Sequence, residues 1–404
     1  MNRAPRSLRP GVPPPNRNVL LLATSQALAL SAIVLSMTLA AILGAALAPD
    51  KGLATLPIAI MVVGTALASI PASLLMRRLG RRTGFMIGAT LGIAGSALAA
   101  TGLLRQSFGT FVAGHLLLGI YQGFANYYRF AAAEAAGPER ASHAISWVVA
   151  GGVVAAFAGP QIAVWGRDWL PQHAFVGSYL AQSLLSVIAV ALLSRLHLPR
   201  VASAAGEPAR SLREIAAQPP LRAAVVGAAV GYVVMVMAMT ATPLAMLGCG
   251  FGTDEVKPVI QWHVFGMFAP SFFTGALVAR FGAPRVMQTG FMLLIGHVAI
   301  AAFGLEYLHF LSTLVLLGVG WNFAFVGATA LLTQTYRPSE QTKVQALNEG
   351  LVFGLVALGS LGAGWMYDRF GWATLNLALL PLLILALVWA HASGRAQTGV
   401  RSTA

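Results

Sequence analysis

Four side chains in the second half of this chain have the types and spacing to hold a soft metal ion. Met235 and Met239 are four residues apart, and so are His263 and Met267. Residues four apart on an α-helix share a face. The two pairs fall on consecutive apolar segments that run in opposite directions. At ~1.5 Å of rise per residue they reach similar depths, so three thioethers and one imidazole are expected to converge. Thioether is a soft, neutral ligand that suits Cu(I), and imidazole also binds copper. The hard ions Mg²⁺ and Ca²⁺ want oxygen, and zinc sites usually carry more His, Cys or carboxylate. Neutral donors also suit transport, because they hold a monovalent cation without trapping it. Copper on these four residues would be a transported substrate, and no prosthetic group is expected. Cys249, just beyond Met239, is placed to act as an entrance ligand. The competing explanation is packing: methionine fills gaps in cores, a buried histidine often only donates a hydrogen bond, and a lone cysteine is a small hydrophobe.

Two further polar groups lie inside apolar segments, where ionisable residues are costly and mark function by default. One holds His115, Tyr121, Gln122, Asn126, Tyr127, Tyr128, Arg129 and Glu134. Tyr128, Arg129 and Glu134 are candidates for lining a cavity, or for coupling transport to protons through Glu134. Alternatively, Arg129 and Glu134 form an interfacial pair. The other group is His297, Trp321, Asn322, Asn348 and Glu349, for which hydrogen bonding between helices is a sufficient reason. No phosphate-binding loop, dinucleotide fingerprint, HExxH motif or nucleophile elbow is present. An ATP-driven pump and a membrane enzyme are therefore not expected.

Helices in a bilayer must position these groups. The chain has 404 residues, 57% hydrophobic and only 9% charged, whereas a soluble domain carries ~25% charged residues. Apolar segments run over 19–47, 53–76, 83–104, 108–135, 143–165, 174–196, 222–247, 257–280, 284–304, 308–336, 344–367 and 373–392. Each is long enough to span, since a crossing helix needs ~20 residues. The expected fold class is an all-α membrane protein with twelve transmembrane helices. Glycine, alanine and serine are frequent inside the segments, as close helix packing in lipid requires. The run 19–47 is too long for a signal-peptide core. A single cysteine excludes an internal disulfide.

The net charge of +14 reflects topology. Of the 26 Lys and Arg, 21 fall on the side of the termini and 5 on the other. The positive-inside rule places both termini in the cytoplasm, in a bacterial inner membrane, and no nucleic-acid partner is needed. The expected organisation is a basic tail (1–18), a six-helix half (19–196), a polar proline-containing linker (197–221), a second six-helix half (222–392) and a C-terminal tail (393–404). The protein is expected to work as a monomer in the lipid bilayer. The halves echo each other: Pro138 and Pro338, Gly159 and Gly359, Trp165 and Trp365, and Asp168 and Asp368 are each separated by 200 residues. Such a repeat signals a pseudo-symmetric transporter with its site between the halves.

The stretch Ser73-Leu74-Leu75-Met76-Arg77-Arg78-Leu79-Gly80-Arg81-Arg82 resembles the signature between the second and third spans of the major facilitator superfamily. A degenerate copy spans Gly275 to Arg285. The usual opening glycine and the aspartate before the first arginine are here Ser73 and Arg77. The resemblance implies two pseudo-symmetric six-helix halves, alternating access, and a gating turn at Arg78, Gly80, Arg81 and Arg82. At a finer level the paired MxxxM and HxxxM motifs resemble the CcoA-type copper importers. That family supplies copper for assembly of cbb-type cytochrome oxidases. It implies copper uptake with Met235, Met239, His263 and Met267 as ligands, and a functional link to oxidase assembly. The alternative is a facilitator that exports or imports a small organic solute.

Overall fold

The computed structural model describes residues 15–50, 53–198 and 210–402, and no strand occurs among them. The first half comprises α1 (Arg17–Leu47), α2 (Leu56–Leu79), α3 (Arg81–Leu104), α4 (Phe108–Ala125), α5 (Tyr128–Ala136), α6 (Ala141–Trp165) and α7 (Val176–Leu193). A short helix, α8 (Leu212–Ala216), precedes the second half. That half comprises α9 (Pro219–Gly248), α10 (Thr253–Phe268), α11 (Ser271–Phe281), α12 (Ala283–Phe303), α13 (Tyr307–Leu332), α14 (Gln341–Ala378) and α15 (Leu380–Ser402). The expected tail at 1–14 and the linker residues 199–209 lie outside the described residues. From residue 393 onward, α15 continues as helix to Ser402.

Lipid offers no partner for a backbone amide, so the apolar runs must be helical. Their ends are closed by local chemistry. The Asn16 side chain accepts from the Val19 amide at 2.9 Å, and Ser107 caps α4 in the same way. Ser211 and Glu214 form a reciprocal capping box on α8. Two crossings are split. The fourth breaks at Asn126–Tyr127 into α4 and α5. The eighth breaks before Ser271 at Pro270, which lacks an amide proton. The eleventh expected crossing is the part of α14 before Gly371, where the chain kinks at φ +75°, and the twelfth is the rest of α14 continued by α15.

The repeat seen in the sequence recurs in the backbone. Gly80 joins α2 to α3 with φ +87° and ψ 156°, and Gly282 joins α11 to α12 with φ +86° and ψ 149°. A side chain at such φ is strained, which is why glycine holds both turns.

The halves meet along two seams. In one, α2 runs beside α14; in the other, α6 runs beside α10 and α11. Ser73 Oγ donates to the Thr342 carbonyl at 3.1 Å, and Ser142 Oγ donates to the Gly275 carbonyl at 3.2 Å. A Cβ at Gly275 would lie 2.7 Å from the Ser142 carbonyl oxygen, so the second seam needs bare backbone there. Both contacts lie at the end of the bundle that carries the Arg78–Arg82 turn, called here the basic end.

Candidate functional site

A small cavity of about 50 Å³ lies between the halves. Its first-half lining is Gln26 and Leu30 from α1, Gln122 from α4, Asn126, Arg129 from α5, and Val148 and Val149 from α6. The second half supplies Tyr232 from α9, Phe268 from α10, Trp321 and Phe325 from α13, and Phe353 from α14. One wall is thus polar and the other aromatic.

The aromatic wall is built on α13. Trp321 and Phe325 are four residues apart, so they share a helix face, and their rings stack at 4.9 Å with planes 13° apart. Tyr232 meets Trp321, Phe325 and Phe353 edge-on, at 5.4, 5.4 and 5.3 Å. Phe268 meets Trp321 edge-on at 5.9 Å. Aromatic pairs prefer these offset and edge-to-face arrangements.

The polar wall is built where α4 breaks into α5. Gln122 Nε2 donates to Asn126 Oδ1 at 2.9 Å. Gln122 Oε1, Asn126 Nδ2 and Trp321 Nε1 are buried with no protein partner. Buried polar groups are rarely left so, and these three belong to residues that line the cavity. Arg129 is the one charged residue in the lining. Its Nη2 donates to Glu349 Oε1 at 2.6 Å, and Nη1 donates to the Asn126 carbonyl at 2.6 Å. Its guanidinium carbon lies 4.5 Å from the Phe130 ring centroid and 4.6 Å from that of Phe325. Asn348 Nδ2 also donates to Glu349 Oε1, at 2.8 Å.

Arg129 and Glu134 do not pair with each other, contrary to one sequence expectation. Arg129 pairs with Glu349 of the other half. Glu134 pairs with Arg81 at 2.5 Å. Five residues, about one and a half helical turns, separate the two along α5, yet they serve different layers. Tyr128 is fully buried and packs edge-on against Phe85 at 4.7 Å. Of the turn residues, Arg78 and Arg82 are exposed and Arg81 alone is drawn inward.

Met235, His263 and Met267 are buried, and Met239 is half-buried. His263 Nδ1 donates to the Leu314 carbonyl of α13 at 2.8 Å. Met267 shares its helix face, so this pair is turned toward α13. Helices α9 and α10 each pack along α13 and touch one another sparsely. Among the described residues, no three His, Cys, Asp or Glu side chains are grouped to hold a metal. Cys249 caps α9 and is exposed. His115 is accounted for by structure: Nδ1 donates to the Phe111 carbonyl and Nε2 meets the Tyr179 hydroxyl at 3.2 Å. Asn322 is a packing hub, bonded to Thr274, Ser271 and the Met267 carbonyl.

Sequence reasoning missed Gln26, Phe268, Phe325 and Phe353. The available signal was the spacing of Trp321 and Phe325, an aromatic pair one turn apart in a span already rich in polar residues.

Two six-helix halves, closed along two seams around a mixed polar and aromatic cavity, define a two-half membrane transporter. The Major Facilitator Superfamily model matches residues 20–269 and 257–402, and the chain belongs to that superfamily. It is a multi-pass membrane transport protein and not an enzyme. It is 40% identical over 375 residues to the riboflavin transporter RfnT of Brucella anthropi, covering 92% of this chain and 94% of that one. It is 29% identical over 403 residues to the uncharacterized MFS-type transporter YdeG of Bacillus subtilis, covering 93% and 92%. The fold is similar to the superfamily transporter FucP in its outward conformation (TM-score 0.75, 15% identity, 93% of this chain and 98% of that one). It is also similar to a bacterial homologue of the iron transporter ferroportin in an outward-facing state (TM-score 0.72, 16% identity, 94% and 100%).

Proposed function

We propose that this protein carries a flat heteroaromatic solute of the riboflavin type across a bacterial cytoplasmic membrane by alternating access. The carrying observation is the cavity wall of Tyr232, Phe268, Trp321, Phe325 and Phe353, set opposite Gln26, Gln122 and Asn126. A tricyclic ring offers two apolar faces for the aromatics. Its edge of carbonyl, imide and ring nitrogen suits the free amide groups of Gln122 and Asn126. The relative RfnT, at 40% identity over nearly the whole chain, supports the same substrate class.

The cavity as it stands is smaller than the ~300–1,000 Å³ typical of small-molecule sites. A flavin therefore enters only when the helices part, in keeping with a site that opens to one side at a time. Excess Lys and Arg at the basic end support placing that end in the cytoplasm.

The copper reading gains no comparable support. The His263–Met267 face is turned toward α13, α9 and α10 touch sparsely, and the relative named for a substrate is a riboflavin transporter. Organic-solute transport, held above as the alternative, is the better-supported reading.

Counterflow in proteoliposomes tests this without assuming a direction. Vesicles loaded with unlabelled riboflavin should accumulate labelled riboflavin from outside, and excess unlabelled riboflavin outside should abolish the signal. Accumulation no greater than in protein-free vesicles refutes the flavin reading.

A further inference from the structure

We infer that the central site selects neutral solutes over anionic ones, and that Glu349 enforces this by occupying Arg129. The inference rests on the flavin reading and narrows it to uncharged flavins.

An arginine facing a binding cavity would ordinarily favour anions, because its planar fork matches phosphate and carboxylate with two parallel bonds. Here the fork is already taken. Nη2 is bonded to Glu349, and Nη1 to the Asn126 carbonyl. The flat faces lie between Phe130 and Phe325. Nε is the nitrogen with no partner, and its N–H suits a ring carbonyl. Each Nη already serves a protein acceptor, so an anion would have to compete with Glu349 and the Asn126 carbonyl for the guanidinium.

Charge points the same way. Arg129 is the one ionic residue in the cavity lining, and Glu349, buried at 0% exposure, neutralises it. An entering anion would have to displace Glu349 from Arg129, leaving a buried carboxylate unpaired in low dielectric. Stripping an ion pair to one partner is strongly unfavourable. A neutral ligand leaves the pair intact. Glu349 Oε1 also accepts from Asn348, so the carboxylate is held in place and not merely attracted.

The pair spans the two halves, Arg129 on α5 and Glu349 on α14. The residue that sets charge preference is therefore contributed by one half to a site whose cation belongs to the other. Neither residue's role is visible from its own half.

The test is direct binding to the full-length protein in nanodiscs, read by flavin fluorescence. Three probes are used: riboflavin, its 5′-phosphate ester, and a neutral 5′-ester of similar bulk. For the native protein, the phosphate ester should bind more weakly than riboflavin by at least about tenfold, while the neutral ester should bind within about threefold of riboflavin. Glu349→Gln keeps the side-chain shape and frees the cation, so the gap between riboflavin and its phosphate should close or reverse. Arg129→Gln combined with Glu349→Gln restores neutrality and should restore the discrimination, which a merely misfolded variant would not do. The inference is overturned if the phosphate ester matches riboflavin in the native protein. It is equally overturned if the neutral ester is rejected as strongly as the phosphate, or if folded Glu349→Gln, monodisperse by size exclusion, keeps the native ratio. If none of the three probes binds the native protein, the flavin reading falls and this inference with it. Tight binding of all three overturns the charge rule alone.

Discussion

Arg81 and Glu134 meet at 2.5 Å at the basic end of the first half, and Gln345 of the second half bonds to both. Arg81 Nη2 donates to Gln345 Oε1 at 2.6 Å, and Gln345 Nε2 donates to Glu134 Oε1 at 3.2 Å. The same amide nitrogen donates to the Tyr336 hydroxyl at 2.8 Å. An ion pair inside one half thereby becomes a latch between the halves. Charge-assisted hydrogen bonds contribute ~1.5–3 kcal/mol each, and the partly exposed setting lowers this toward ~1–2 kcal/mol.

Glu134→Gln should therefore loosen the basic end. A cysteine at Ser73 reports this, because Ser73 is 2% exposed and sits in the α2–α14 seam. In a Cys249→Ala background its reactivity toward a thiol reagent, applied to inside-out vesicles, should rise roughly five- to thirtyfold, as ~1–2 kcal/mol dictates. Unchanged reactivity would mean that the latch does not hold the seam.

The aromatic wall makes a graded prediction. Trp321→Leu removes the stacked ring and two edge contacts, and should weaken flavin binding by roughly tenfold, from ~1–1.5 kcal/mol of aromatic interaction. Trp321→Phe should recover much of the loss. Flavin fluorescence titration in nanodiscs reads both, and equal affinities in the three proteins would remove α13 from the site.

Met235→Leu, Met239→Leu, His263→Leu and Met267→Leu should leave flavin counterflow nearly intact. Each methionine swap keeps apolar bulk and should cost under ~1.5 kcal/mol. His263→Leu also removes a buried Nε2 that has no partner. Radiocopper uptake should match that of cells lacking the protein. Copper uptake that depends on the protein and collapses in these variants would instead establish the metal reading.

Cys249 offers a topology test in the native protein, since it is the one cysteine of the sequence and is exposed. Gln218, at the start of α9, donates to the Thr335 carbonyl at the basic end, and 30 residues of helix then carry the chain to Cys249. At ~1.5 Å per residue that is about 45 Å. An impermeant maleimide should label Cys249 in intact spheroplasts. Labelling only after the membrane is broken would reverse the proposed orientation.

Spans and the repeat were legible because lipid imposes them residue by residue. Apolar runs need no partner to be recognised, and the Gly80 and Gly282 turns declare themselves by a glycine with arginine within two residues. The site was less legible. Phe268, Phe325 and Phe353 sit in runs where phenylalanine is also ordinary packing, so nothing local marks them as cavity walls. Arg129 was singled out, but its partner lies 220 residues away, and sequence spacing suggested nearby Glu134 instead. The methionine and histidine pairs show the converse. Their spacing within each helix is real, but the His263 pair is turned toward α13, and α9 and α10 touch one another sparsely.

The Arg129–Glu349 pair also has a history during synthesis. At ~5–20 residues per second, the 220 residues between them take about 10–40 s to make. Throughout that interval the arginine is already part of a half that carries no matching carboxylate for it. A cation in the bilayer interior without a counter-charge is costly, so the nascent first half is electrostatically incomplete. Arrival of α14 supplies the missing charge, so the arginine of the first half is neutralised only once the second half is made.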